Sequence, residues 1–291
     1  MSTVSVLVCS ALLLVTASYT MAVLNSFDDT IVRAKLMPLS AAAYSDRPQN
    51  CLNNAVPGAV LLQQVTVPCD AFKDKCSGFV ALSPKDKAIM VSFRGTDHAL
   101  QLFLEVSEAI FTKQMAFPGG GKVAEYFYNG FMDIWKGGMA NVLEATAKIY
   151  PEYQLWITGH SLGASFASLA ATFIADAKLF PAEQIRLVTF GQPRTGDKEY
   201  ANSVDRLIPH SFRVTHNRDI VAHIPPPFLG YRHHSTEIFY PNNMNSENTS
   251  FKTCQTQEDN KCSDGHVDLS IADHTHYYGH DISDFADADC K

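Results

Sequence analysis

The stretch Gln154-Leu155-Trp156-Ile157-Thr158-Gly159-His160-Ser161-Leu162-Gly163-Ala164-Ser165 decides how this chain folds. Its first five residues form a short apolar run that reads as a buried strand. The run enters Gly-His-Ser-Leu-Gly without a break, and from Ala164 to Leu179 the sequence is crowded with Ala and Ser, as a helix packed close to a sheet requires. A tight strand-turn-helix pushes the middle Ser onto a sharp elbow, and glycines flank it because side chains would collide there. The helix N-terminus aims its positive dipole end at Ser161 and favours negative charge developing beside it. A Gly-rich turn that happens to hold a Ser gives the same five letters. The flanking strand and helix favour the elbow.

The same alternation extends on both sides. Ala88 to Phe93, Ile185 to Phe190 and Ser211 to Thr215 read as strands. Ala59 to Val67 and Gly78 to Leu82 read as shorter ones, and Asp28 to Tyr44 and Phe131 to Tyr150 as helices. The main strands are apolar throughout, so both faces of their sheet are expected to be covered, as in a mostly parallel sheet flanked by helices. There is no internal repeat and no linker, which predicts one α/β domain over roughly residues 21–291.

The net charge is -7, with 46% hydrophobic and 18% charged residues. Nothing in that balance favours nucleic acid, which calls for a basic face, and contact with lipid would have to be apolar and local. Val4 to Val15 is an uncharged apolar run followed by the small residues Ala17, Ser18 and Ala22. It has the length of a signal h-region and is too short for a membrane span, so residues 1–20 are expected to be an export signal cleaved between 17 and 22. An uncleaved anchor is the rival reading. Export agrees with the cysteines, since Cys51, Cys69, Cys76, Cys254, Cys262 and Cys290 remain as an even set beyond the signal. Local spacing favours Cys69–Cys76 and Cys254–Cys262, with Cys51–Cys290 joining the two ends. Asn248-Thr249-Ser250 is a glycosylation acceptor in an exported chain.

A serine hydroxyl attacks only when a base takes its proton. In elbow-type hydrolases an acid and then a His follow the Ser in chain order. Asp219 comes just after a predicted strand, whereas Asp197 and Asp205 fall in a turn and a helix-like stretch. The base is one of His223, His233, His234, His266, His274, His276 and His280, and spacing does not separate His274 from His276. The backbone N–H of Leu162, directly after the nucleophile, is a donor for the oxyanion. The His and Asp residues between Asp264 and Asp281 could be read as a metal cluster. They lack a compact HxxxH pattern and are expected to be solvated loop residues, with no metal and no cofactor.

Five patches, in family order, resemble the class 3 lipases, the fungal-type triacylglycerol lipases of the α/β-hydrolase superfamily. They are Phe93-Arg94-Gly95-Thr96, Thr158 to Ala164, Thr189-Phe190-Gly191-Gln192-Pro193-Arg194, Asn217-Arg218-Asp219-Ile220-Val221 with Pro225-Pro226, and Asp273-His274 with Tyr277-Tyr278-Gly279. The resemblance implies an α/β-hydrolase fold with a short helical lid, and a Ser161-Asp219-His274 triad in which His274 precedes the aromatic pair. It implies Thr96 as the second oxyanion donor. It places the lid at 97–110, where Leu100, Leu102, Phe103, Leu104 and Val106 cover a pocket, meet an interface or form a core helix. The expected protein is a secreted serine lipase that cleaves acylglycerol esters through an acyl-enzyme at an oil-water or membrane interface, with no obligate protein partner. Phospholipase A1 or other carboxylesterase activity on the same machinery is the first alternative, and a catalytically silent lipid-binding protein the second.

Overall fold

The computed structural model describes residues 26–69, 75–95, 111–245 and 249–291. The export run, the glycosylation acceptor Asn248, the oxyanion candidate Thr96 and the lid candidates Leu100, Leu102, Phe103, Leu104 and Val106 lie outside the described residues.

Eight strands make the main sheet. In chain order they are β1 (Val60–Pro68), β2 (Lys75–Ser83), β3 (Ala88–Phe93), β4 (Gln154–His160), β5 (Ile185–Phe190), β6 (Ser211–His216), β7 (Glu237–Tyr240) and β8 (Lys252–Cys254), and they lie side by side in that order. Strands β3 to β7 pair in parallel, while β1, β2 and β8 join antiparallel at the two edges. The parallel centre explains the unbroken apolar runs. On β4, Leu155 and Ile157 face one core and Trp156 faces the other, and on β5 Leu187 and Val188 divide the same way. Successive side chains point to opposite faces of a strand. With both faces covered, most positions are apolar, and buried polar ones such as Thr158 and Thr189 are hydrogen-bonded to Ser40 and Gln192.

One core lies under the helix Leu162–Asp176 and the helix Glu125–Ile134, through Phe166, Leu169, Ile174, Phe127 and Phe131. The other lies under the helical run 29–42 and the C-terminal segment, through Leu36, Met37, Leu39, Tyr277, Tyr278 and Ile282. Disulfides join Cys51 to Cys290, Cys69 to Cys76 and Cys254 to Cys262. The first ties the two ends of the described chain. By loop entropy it contributes about 5 kcal/mol, roughly twice either short loop.

The helix expected from Phe131 starts earlier, at Glu125, and is not one rod. A π-helical stretch (Trp135–Met139) separates it from Ala140–Ile149, and Gly138 inside that stretch has φ +132. A Cβ there would stand 2.7 Å from the Gln63 side chain of β1, so the kink lets the helix clear the sheet edge. The nucleophile helix starts at Leu162 rather than Ala164, which makes Ser161 its cap residue. The helix-like stretch around Asp205 is the helix Lys198–Leu207, whereas strands β7 and β8 carry no clear signal in the sequence. In β7 the charged Glu237 interrupts the apolar pattern, yet it is buried because Arg213 of β6 faces it at 3.7 Å.

Candidate active site

The elbow follows from sterics. Ser161 sits at φ 59, ψ -129, a conformation that costs a non-Gly residue about 1–3 kcal/mol and persists only when its surroundings impose it. Here they do. A Cβ on Gly159 would stand 2.3 Å from the Gly163 carbonyl oxygen, and one on Gly163 would stand 2.2 Å from the Phe93 carbonyl oxygen at the end of β3. The first glycine lets the turn close on itself, and the second lets the helix start touch the neighbouring strand. Gly95 is equally confined, since its Cβ would meet the Tyr44 hydroxyl at 2.1 Å, the His160 carbonyl at 2.7 Å and Ser161 Cβ at 3.0 Å. Gly95, two residues past the end of β3, therefore passes directly against the elbow. As the first helical residue, Leu162 has no helical acceptor for its N–H.

His274 lies on the short helix Ile271–Thr275, capped by Ser270, whose hydroxyl accepts from the Asp273 N–H at 3.1 Å. Its Nδ1–H donates to both carboxylate oxygens of Asp219, at 2.9 and 3.0 Å. A carboxylate only accepts, so the proton sits on Nδ1 and the basic nitrogen is Nε2. The acid and base loops are also joined by backbone. Ser270 N–H donates to Arg218 O at 2.7 Å and Ile220 N–H to Ser270 O at 3.3 Å. Asp219 is fully buried and accepts two further hydrogen bonds, from the Tyr277 hydroxyl at 2.7 Å and the Val221 N–H at 2.8 Å. Burial by itself would raise its carboxyl. The His274 charge and the hydrogen bonds from His274 and Tyr277 outweigh that and hold it down at about 2. Asp219 is therefore ionised at any working pH.

Two buried polar atoms have no hydrogen-bond partner among the described residues and stand at the centre of this cluster, Ser161 Oγ and His274 Nε2. The His160 ring beside Ser161 stacks on the His274 ring with centroids 4.6 Å apart and 26° between planes. Burial, then the His274 charge, pushes His160 down to about 3, so it stays neutral.

The competing residues lie elsewhere. Asp197 caps the helix Lys198–Leu207 through Tyr200 N–H at 2.9 Å, and Asp205 accepts from Ser235 N–H at 2.8 Å. His276 is exposed, 3.8 Å from Asp281. His233 and His234 are buried and bonded to the Ala222 and Ser235 carbonyls. His223 contacts the Asp219 backbone oxygen at 2.8 Å, not its carboxylate. The expectation that the polar tail is solvated fails at two places. Asp264 is paired with the buried Arg194 at 2.8 Å, and Asp273 accepts from Asn217 at 3.0 Å and Arg218 N–H at 3.2 Å. Both hold loops that spacing alone could not show to be adjacent.

Sequence reasoning missed Gly191. Its φ is +55, and a Cβ there would stand 2.6 Å from Asp219 Oδ2 and 2.8 Å from His274 Nδ1, so the acid–base contact depends on its bareness. It also missed Tyr277 as a partner of Asp219, and the roles of His160 and Tyr44. Gly191 and Tyr277 stand within the patches that carry the family resemblance. Nothing local marks Tyr44.

A serine on an elbow, a His whose tautomer is set by a buried carboxylate and a parallel sheet beneath them define the α/β-hydrolase class of serine hydrolases. The chain belongs to the class 3 lipase family. The family model, Lipase (class 3), matches residues 90–229. A lipase of Caenorhabditis elegans is 34% identical over 88% of this chain and 80% of its own length. The secreted mono- and diacylglycerol lipase 1 of Fusarium solani is 29% identical over 71% of this chain, which spans 61% of that protein. In three dimensions the triacylglyceride lipase of Rhizomucor miehei superposes with a TM-score of 0.74 at 26% identity, covering 85% of this chain and 93% of that one. The protein is accordingly a serine ester hydrolase.

Proposed function

We propose that the chain hydrolyses acylglycerol esters with Ser161 as nucleophile, His274 as general base and then acid, and Asp219 as the group that orients and stabilises His274. One observation carries this reading. His274 Nδ1–H is held on a fully buried Asp219 carboxylate, leaving Nε2 and the Ser161 hydroxyl as unpartnered buried atoms in the same corner. His274 Nε2 takes the Ser161 proton as Oγ bonds to the ester carbonyl carbon. The oxyanion is received by the Leu162 N–H, at the start of a 15-residue helix whose dipole favours it, and by Thr96 next to Gly95. The His274 proton then goes to the leaving alcohol. Water repeats the sequence on the acyl-enzyme and releases the fatty acid. His274 and Ser161 share no hydrogen bond here, and such contacts often tighten only when substrate binds.

The glyceride substrate follows from family membership and from relatives named for triacylglyceride and for mono- and diacylglycerol hydrolysis. Export is supported by the apolar run Val4 to Val15 and by three disulfides, which persist in oxidising compartments. Lid residues 97–110 would shelter the acyl chain. Titration with a serine-directed organophosphate tests the site. Stoichiometric labelling at Ser161 with loss of activity is expected, and activity surviving complete labelling would overturn the assignment. Comparing emulsified tributyrin and triolein, diacylglycerol, phosphatidylcholine and p-nitrophenyl butyrate tests the substrate, with glycerides expected to turn over fastest.

A further inference from the structure

We propose that Tyr44 and His160 form a positioning relay for the base. Tyr44 fixes the His160 ring, and His160 holds His274 by a hydrogen bond to its backbone carbonyl and by stacking on its imidazole. The inference rests on the reading of Ser161 and His274 given above.

The hydrogen-bond chain has one direction. His160 Nε2 lies 2.8 Å from the His274 carbonyl oxygen. A carbonyl only accepts, so Nε2 carries the proton. The ring is buried and neutral, which leaves Nδ1 bare and makes it the acceptor of the Tyr44 hydroxyl at 2.8 Å. Both ring nitrogens are thereby used, and the ring cannot flip without breaking both bonds. Tyr44 follows the helical run 29–42, and its hydroxyl is packed on Gly95, the residue that meets the elbow. The relay thus runs from the N-terminal helices, past the end of β3, to a base that sits on a helix of only five residues.

The relay fixes what Asp219 leaves free. The Asp219 carboxylate grips His274 at the Nδ1 edge of the ring. The His160 face, 4.6 Å away and tilted by 26°, limits how that ring can tip about the grip. Turnover gives His274 a proton and a positive charge. A protonated His160 would repel that imidazolium, and burial has removed the charge from His160. His160 exchanges no proton in the reaction and touches no reacting atom, so it is a positioning residue.

The test uses p-nitrophenyl butyrate, a soluble ester that makes no demand on an interface, with organophosphate titration to count folded sites. H160F keeps a ring and loses the donor. H160Q keeps a donor for the His274 carbonyl and loses the ring. A displacement of about 1 Å at a catalytic group costs on the order of 100-fold. H160F should therefore lower kcat roughly 100-fold with KM within about twofold, and H160Q roughly 10-fold. Y44F, which removes one hydroxyl, should cost about fivefold. The Y44F/H160F double variant should be no worse than H160F, because residues acting through one contact do not add. The downfield proton signal of the His274–Asp219 hydrogen bond should broaden in H160F and persist in H160Q. A purely structural role for His160 would leave that signal unchanged in the folded fraction. The relay is overturned if H160F retains kcat within about twofold of wild type, or if the Y44F and H160F effects multiply. If H160F does not fold, Y44F decides. An unchanged kcat and an unchanged proton signal there overturn the relay. Failure of the wild-type protein to label at Ser161 overturns the Ser161 reading itself, and the relay with it.

Discussion

Two buried charged clusters branch from the loop that follows β6, and they are built on opposite principles. In one, Asp219 and His274 stand beside Ser161, and two buried polar atoms are left without partners. In the other, Arg194 donates through Nε and Nη2 to Glu258, through Nη2 to Asp264, and through Nη1 to the His223 and Pro225 carbonyls. Every guanidinium N–H there has an acceptor. Buried polar atoms are nearly always paired, so an unpaired one calls for an explanation. The cluster with the saturated guanidinium, which leaves only His233 Nδ1 beside it without a partner among the described residues, holds loops together, and in the proposed reading the Ser161 corner is where substrate supplies the missing partners. The two are coupled through residues 219–225. The Asp219 end of the stretch grips His274, and the His223–Pro225 end is gripped by Arg194.

The largest expected effect breaks the comparison on its catalytic side. S161A should lower ester turnover by roughly 10⁴–10⁶-fold with an unchanged melting temperature. It removes a hydroxyl that bonds nothing among the described residues. A residual rate above about 1% of wild type would place the nucleophile elsewhere. Next, D219N should cost about 10⁴-fold, because an amide can donate to His274 Nδ1 and select the wrong tautomer.

The saturated cluster should answer in stability instead. R194M leaves Glu258 and Asp264 buried without their cation, a loss of about 3–5 kcal/mol. Urea denaturation reads that loss, and sites counted by organophosphate titration should keep kcat within about tenfold of wild type. A loss of activity per folded site as large as that of D219N would show that the two clusters are one machine.

The smallest effect is a pH dependence. Burial, then the neighbouring Glu258 charge, pushes the Asp264 carboxyl up from 3.8 to about 6. A carboxyl raised in the folded state keeps its proton there while the unfolded chain has lost it, so this group costs stability as pH rises from about 4 to about 6 and adds no slope above that. D264N has no such proton to lose. Its melting temperature relative to wild type should climb across that window and then level off. A difference that is flat from pH 4 to 7 would show that Asp264 does not titrate there. Asp219 works in the opposite sense, since its lowered carboxyl stabilises the fold above pH 3.8 and loses that contribution as pH falls toward 2.

Much of this molecule was legible from local sequence. The apolar runs of β3, β4 and β5 mark strands covered on both faces, and the structure places them at the parallel centre of the sheet. The helix break at Gly138 and the charged strand β7 were not legible, because each answers to a neighbour far away in sequence, Gln63 and Arg213. The site divides in the same way. Spacing left His274 and His276 equivalent, and they end with one on a buried carboxylate and the other exposed beside Asp281.

The sequence by itself determined the elbow, because Gly159-His160-Ser161-Leu162-Gly163 is a steric solution confined to neighbours and one adjacent strand. It also determined the parallel centre of the sheet, because unbroken apolar strands need cover on both faces. Only the tertiary structure decided which imidazole meets a buried carboxylate, which one is buried and neutral beside it, and which acidic residues became buried partners. Those properties depend on desolvation and on hydrogen bonds between groups such as Asp219 and His274 or Tyr44 and His160, which are brought together only when the sheet closes.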